Sequence, residues 1–143
     1  MLGVFSALEV ASSGLSAERV RMNTIAGNLA NARTTRTEKG TPYKRLDPVF
    51  EAIPVDHDSS IVDDRRAVSA VRVARIAEDP RPGQMVYEPG HPDANAQGYV
   101  EYPNVNVVEE MVNLITASRA YEAGVTSIET IKQMANSAIS LGR

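Results

Sequence analysis

Prolines divide this 143-residue chain into three parts. All eight lie within residues 42–103, and the sequence on either side of that range contains none. Proline lacks a backbone N–H and its ring clashes inside a helix, so the middle of the chain cannot form a long helix, whereas both ends can. We therefore predict an N-terminal helix over residues 1–33, a proline-rich middle segment over 34–103 and a C-terminal helix over 104–143.

The N-terminal part carries a stripe of residues at alternating steps of four and three, which places them on one face of a helix. All members of the stripe are apolar except Glu18. The stripe consists of Val4, Leu8, Ala11, Leu15, Glu18, Met22, Ile25, Leu29 and Ala32. A stripe this narrow is typical of a heptad seam, which has to be covered by another helix.

The C-terminal part continues with the same spacing. Its stripe runs through Met111, Leu114, Ser118, Tyr121, Val125 and Ile128. Asn106, three residues before Glu109, is a candidate N-cap, and Gly142 is placed to end the helix. Two narrow seams predict that the terminal helices pair as a coiled coil. The spacing leaves open whether the paired helices belong to one chain or to two copies.

The middle segment has the composition of short strands and turns. Runs rich in β-favouring residues occupy positions 43–50, 68–76 and 85–87, and residues 57–60 and 63–66 are typical of an exposed loop. With two Phe, five Tyr and no Trp, the chain has few large rings from which to build one thick core. We therefore predict a mainly α fold, in which the paired terminal helices bracket a small, irregular segment that is β-rich or extended.

The sequence contains no set of residues typical of a catalytic, metal-binding or cofactor-binding site. There are no cysteines, which excludes thiolate metal sites, and the two histidines, His57 and His91, lack the spacing of metal ligands. His91 lies two residues before Asp93, but no Gly-x-Ser-x-Gly nucleophile motif accompanies this pair. We therefore expect a protein that is not an enzyme and that holds no cofactor.

Charge and hydropathy limit the partners. The net charge of −3 argues against nucleic acid, and no apolar run approaches the roughly 18 residues of a membrane-spanning helix. We therefore expect neither nucleic-acid binding nor direct membrane insertion. Seven basic and three acidic residues give residues 1–46 a charge of +4, whereas five basic and eleven acidic residues give residues 47–102 a charge of −6. Either the basic and acidic parts attract each other between neighbouring copies of the chain, or the charged residues only keep two separate surfaces hydrated.

Several stretches of the sequence resemble a known family. Residues 13–34 resemble the N-terminal signature of flagellar axial proteins, in which the usual Ala-Asn-Asn-Ile-Ala-Asn string corresponds here to Ala26-Gly27-Asn28-Leu29-Ala30-Asn31. The chain is also similar to proximal rod proteins of the bacterial flagellar basal body over residues 87–94, 99–112 and 118–123. Gly124 stands where those rod proteins usually have Asn.

The resemblance implies a structural subunit of the proximal rod, the drive shaft that crosses the periplasm. Such subunits are exported unfolded by the flagellar type III apparatus and stack helically through their terminal helices. The implied partners are copies of the chain, other rod proteins, and export-gate or ring components at the rod base. Two other function classes fit the seams alone: a soluble coiled-coil interaction module, and a membrane-surface protein that uses the N-terminal amphipathic helix.

Candidate subunit-interface residues follow from the seams and from the resemblance. Asn28 and Asn31 are expected to form side-chain hydrogen bonds to a neighbouring helix, which set its register. Arg119 and Tyr121 are of residue types that often anchor interfaces. The complete set is Leu8, Leu15, Met22, Ile25, Asn28, Leu29, Asn31, Met111, Leu114, Arg119, Tyr121, Val125 and Ile128.

Overall fold

The computed structural model describes residues 2–55 and 68–141, without the side chain of Leu2. Two long helices enclose two hairpins in the order of the chain. The elements are α1 (Leu2–Ala30), β1 (Leu46–Pro54), β2 (Ser69–Glu78), β3 (Gln84–Tyr87), β4 (Tyr99–Tyr102) and α2 (Val107–Leu141). The exposed loop predicted at residues 57–60 and 63–66 and the helix end predicted at Gly142 lie outside the described residues.

Asparagine side chains satisfy backbone groups at one end of each helix. Asn106 Oδ1 accepts hydrogen bonds from the backbone N–H of Val108 at 3.1 Å and of Glu109 at 3.4 Å, so Asn106 caps the start of α2. At the end of α1, Asn31 Nδ2 donates to the carbonyl oxygen of Gly27 at 3.0 Å. The same carbonyl oxygen also accepts the backbone N–H of Asn31 at 3.1 Å, so Asn31 is bonded to the last turn of α1 through both its side chain and its backbone.

The middle segment forms two separate antiparallel sheets of two strands each. β1 pairs with β2 along its whole length, with a register shift between Val49 and Phe50. β3 pairs with β4, and Gly98 immediately precedes β4 with a φ of 83°. A Cβ added at Gly98 would lie 2.8 Å from Tyr87 Cε2, so this turn requires glycine both for its conformation and for its space.

The predicted mainly α fold with a coiled coil is wrong, because the structure is mixed α/β. Helices account for 50% and strands for 21% of the described residues. α1 packs on α2 and also on the β1–β2 hairpin. The backbone N–H of Val71 in β2 donates to Ser13 Oγ at 3.0 Å, which ties the hairpin to a second face of α1.

The exposed surface of α1 shows why this helix is not a coiled-coil strand. Its exposed residues form one narrow stripe, whereas a helix of a two-stranded coiled coil leaves most of its surface in water. That stripe consists of Gly3, Phe5, Glu9, Ser12, Ser16, Arg19, Asn23, Ala26 and Ala30. The heptad spacing groups residues on one face of a helix, but it contains no information about a hairpin that covers another face.

The two long helices pair with each other within one chain. Of the described helices and strands, α2 packs on α1 only. The covered stripe of α2 comprises Glu110, Asn113, Leu114, Ala117, Ser118, Tyr121, Gly124, Val125, Ile128, Ile131 and Ala135. A Cβ added at Gly124 would lie 2.7 Å from Leu15 Cδ2, so the helices approach closely there. Because Leu15 meets Gly124 while Asn28 is bonded to Glu110, the helices run antiparallel.

Candidate functional site

A buried polar cluster lies where the end of α1, the start of β1 and the start of α2 meet. We call Asn28, Tyr43, Arg45 and Glu110 the polar anchor. Asn28 and Glu110 are both 0% exposed. Buried polar groups destabilise a fold unless they are hydrogen-bonded, so the partners of these two side chains determine what the cluster does.

Asn28 uses its full hydrogen-bonding capacity within the chain. Its Nδ2 donates to Glu110 Oε2 and to the carbonyl oxygen of Leu46, both at 2.9 Å. Its Oδ1 accepts from the Tyr43 hydroxyl at 3.0 Å and from the backbone N–H of Leu46 at 2.9 Å. An amide side chain offers two donors and two acceptor positions, so nothing remains unpaired. These bonds join the end of α1 to the first residue of β1 and to the first turn of α2.

Glu110 is bonded through both of its carboxylate oxygens. Its Oε1 accepts from Arg45 Nε at 2.8 Å. Arg45 Nη1 also donates to Asp47 Oδ2 at 2.9 Å, and Asn104 Oδ1 accepts from the backbone N–H of Arg45 at 2.8 Å. The buried charge of Glu110 is therefore compensated by a guanidinium that the chain holds in place at several points.

The surroundings of the polar anchor shift the titration of three groups. Burial and the negative charge of Glu110 raise the pKa of Tyr43. Burial would lower the pKa of Arg45, but its hydrogen bonds to carboxylates, first of all to Glu110, raise that pKa overall. Close by, hydrogen bonds from Arg81 lower the pKa of Asp79 to about 2. All three shifts favour a neutral tyrosine and charged Arg45 and Asp79 at neutral pH.

We expect the protein to lose stability above about pH 10. A group whose pKa is raised by folding stabilises the fold below its unfolded pKa, and this contribution disappears as the pH rises through the folded pKa. Tyr43 is such a group, and so is Tyr102, whose hydrogen bond to Glu88 raises its pKa. Urea-denaturation midpoints would fall less steeply between about pH 8 and pH 11 in Tyr43→Phe than in the parent chain. Equal slopes would contradict a contribution from Tyr43.

The candidate interface residues differ in their burial. Ile25 and Asn28 are buried within the chain, whereas Met111 and Arg119 are exposed on α2. The remaining residues are partly buried, namely Leu8, Leu15, Met22, Leu29, Asn31, Leu114, Tyr121, Val125 and Ile128. Contact of these residues with other subunits stays a prediction.

Tyr43, Arg45 and Glu110 are not among the candidate site residues that the sequence predicts. Tyr43 and Arg45 lie between α1 and β1, within the β-favouring run over residues 43–50, and such a run does not indicate that they are partners of a buried carboxylate. Glu110 does carry a signal, because it lies one helical turn before Leu114 and therefore on the covered face of α2. A carboxylate at such a position requires a buried partner, and a buried asparagine on the opposite helix is one of the few residues that provide it.

A second apolar stripe on α2 remains exposed. Val108, Met111, Val112 and Ile115 recur at helical spacing and are 53% to 71% exposed. We call these four residues the outer stripe. Contiguous apolar residues on an exposed face mark interaction surfaces, so the outer stripe is the clearest candidate contact surface on this helix.

The described residues, 2–55 and 68–141, contain no group of three or more side chains that could hold a metal ion. His91 Nδ1 accepts a hydrogen bond from the backbone N–H of Asp93 at 3.1 Å, which uses the imidazole in a turn. Within the same ranges, neither helix is long and apolar enough to cross a membrane.

Two family profiles match the two ends of the chain. The profile of a family described as "Flagella basal body rod protein" matches residues 8–36. That of a family described as "Flagellar basal body rod FlgEFG protein C-terminal" matches residues 96–141. The two matched segments contain Asn28 and Glu110 respectively, the residues that join α1 to α2.

Relatives named "Flagellar basal-body rod protein FlgC" match nearly the whole chain. The one from Borreliella burgdorferi is 44% identical over 98% of this chain and 98% of its own. Those from Aquifex aeolicus and Salmonella typhimurium are 42% and 39% identical, over 94% and 99% of this chain and 93% and 100% of theirs. These matches confirm the resemblance to proximal rod proteins, and the prediction that the chain is not an enzyme. The chain therefore belongs to the FlgC family and is a structural subunit of the flagellar basal-body rod.

Proposed function

We propose that this subunit assembles into the proximal part of the rod through the surfaces that remain exposed when α1 and α2 pair, with the outer stripe as a principal contact. The exposure of four large apolar side chains at helical spacing on α2 supports this proposal. Covering apolar surface contributes about 25 cal/mol per Å² removed from water, so a neighbouring subunit on the outer stripe would be stabilising.

Membership of the rod implies contact with other rod components. We propose copies of this chain and other rod proteins as the neighbours along the rod, and export-gate or ring components as the neighbours at its base. Delivery by the flagellar type III apparatus is part of the same proposal. Contacts between unlike surfaces that do not close on themselves build open helical assemblies, which is the form that a rod requires.

The candidate interface residues fit this proposal in two ways. Met111 and Arg119 are exposed on α2, so they are available to a neighbouring subunit. Ile25 and Asn28 are buried between the elements of one chain, so they would act on assembly by holding the helix pair in shape. The partly buried residues of the set lie between these two cases.

The combined substitution Met111→Asp and Ile115→Asp, made in the native bacterium, tests the outer stripe. We expect the isolated subunit to stay folded, because both side chains are exposed, and the cells to lose swimming and to lack rods. Two carboxylates in the centre of an apolar contact would be buried without partners. Electron microscopy of isolated basal bodies and assay of the exported subunit would separate failed assembly from failed export.

Thr116→Asp combined with Ala123→Asp is the matched control, since it adds the same charge at exposed positions of α2 outside the outer stripe. We expect this control to assemble. Normal rods that contain the chain altered at Met111 and Ile115 would contradict the proposal.

A further inference from the structure

The heptad spacing of the apolar residues is by itself a weak determinant of the register between α1 and α2. Large apolar residues recur every seven positions on α1 at Leu8, Leu15, Met22 and Leu29. They recur in the same way on α2 at Leu114, Tyr121 and Ile128. Sliding α2 by one heptad, about 10 Å, would therefore still bring apolar side chains against apolar side chains.

The polar anchor is not repeated along the helices. The residues one heptad away from Glu110 are Pro103 and Ala117, and neither has a side chain that accepts a hydrogen bond. In either slipped register Asn28 Nδ2 would lose Glu110 Oε2, and Glu110 would lose Asn28. Since Asn28 is 0% exposed and would then face Pro103 or Ala117, its Nδ2 would be left as a buried donor that water does not reach.

We propose that the hydrogen bond between Asn28 and Glu110 is a register lock, which selects one of the heptad-related arrangements of α1 and α2. Two further contacts extend the lock to the hairpin. Arg45 Nε donates to the same carboxylate, and the backbone of Leu46 makes two hydrogen bonds with the Asn28 amide. Apolar residues can face each other in any of these registers, whereas the hydrogen bond between Asn28 and Glu110 forms in only one of them.

The lock has a consequence for assembly that rests on the proposed function. A slip of one heptad would move the outer stripe about 10 Å relative to α1 and to the β1–β2 hairpin. A neighbouring subunit that contacts both helices would then meet a displaced surface. The lock itself does not depend on the proposed function, because register is a property of the single chain.

The absence of cysteine from the chain allows register to be measured by disulfide formation. Leu15→Cys with Gly124→Cys reports the observed register, because Leu15 and Gly124 are in contact. Leu15→Cys with Ala117→Cys, and Leu15→Cys with Ile131→Cys, report the two slipped registers. In the otherwise unaltered chain we expect only the first pair to cross-link, as judged by non-reducing electrophoresis and mass spectrometry.

Glu110→Leu is expected to allow the slipped pairs to cross-link, because it removes the acceptor that is present in one register only. The increase should be about tenfold or more, as expected when a buried group no longer favours one arrangement. Leu114→Ala is the matched control. It removes apolar area from the seam one turn further along α2 and weakens the fold, but it should leave cross-linking confined to the first pair.

Exclusive formation of the first pair in a folded Glu110→Leu chain would overturn the lock, and so would equal slippage in Leu114→Ala. If circular dichroism shows that Glu110→Leu is not helical, Asn28→Ala carries the same test with the same two outcomes. Different results contradict the proposed function and the register lock. Normal rods built from the chain altered at Met111 and Ile115 would contradict the proposed function and leave the cross-linking result unaffected.

Discussion

Replacing Arg45 by methionine is expected to lower the free energy of unfolding by about 3–5 kcal/mol, the usual effect of leaving a buried charge without its partner. Arg45 Nε donates to Glu110 Oε1 at 2.8 Å, and Glu110 is 0% exposed. Methionine keeps an unbranched apolar side chain in place of the arginine stem. The decrease in the free energy of unfolding therefore measures mainly the removal of the guanidinium group. Urea denaturation followed by circular dichroism measures the change.

Arg72→Met is the matched control for this prediction. Arg72 Nη2 and Glu51 Oε2 are also 2.8 Å apart, but the two side chains are 61% and 50% exposed. Exposed ion pairs contribute about 0–1 kcal/mol, so this control should change stability little. Arg45→Met combined with Glu110→Leu should recover part of the loss, because no charge is then left alone. Equal losses for Arg45→Met and Arg72→Met would contradict the importance of burial.

The positions of the helices follow largely from local features of the sequence. Proline acts within its own turn, and Asn106 caps α2 through backbone groups two and three residues away. The predicted helices accordingly contain α1 and α2. The runs of β-favouring residues overlap β1, β2 and β3, whereas the short strand β4 is not marked by such a run.

The packing of the hairpin on α1 could not be predicted from periodicity. Ser13 and Val71, which are bonded to each other, lie 58 positions apart in the chain. Helical spacing identifies residues that share a face, but it does not identify what covers that face. A narrow heptad seam therefore suggested a coiled coil, although α1 is covered by α2 on one face and by the β1–β2 hairpin on another.

The contacts within the polar anchor are even less predictable from the spacing of residues along the chain. The sequence indicates that Asn28 sets the register of a neighbouring helix, and the helix to which it is bonded is α2 of the same chain. Its partner Glu110 lies 82 positions away, so no local pattern links the two residues. Tyr43 and Arg45 complete the cluster from a segment without regular structure, where only the folded chain brings them to the buried carboxylate.

Replacing Ala117 by aspartate is expected to lower the free energy of unfolding by about 3–5 kcal/mol or to prevent folding. Ala117 is 0% exposed and lies in the stripe through which α2 packs on α1. A carboxylate at this position would be buried without a cation and would force the helices apart. Thr116→Asp places the same charge on the adjacent, exposed residue, so it should change stability by no more than about 0.5 kcal/mol.

The dependence of unfolding on protein concentration completes this test. Because α1 and α2 pair within one chain, the urea midpoint of the parent should not change when its concentration is raised tenfold. Helices that paired between copies would instead give a midpoint that rises with concentration, since association would then stabilise the fold. If Ala117→Asp greatly lowers the free energy of unfolding, and the urea midpoint of the parent does not depend on protein concentration, then α1 and α2 pair within one chain. Equal effects of Ala117→Asp and Thr116→Asp would contradict the covered position of Ala117, and with it the helix pair on which the outer stripe depends.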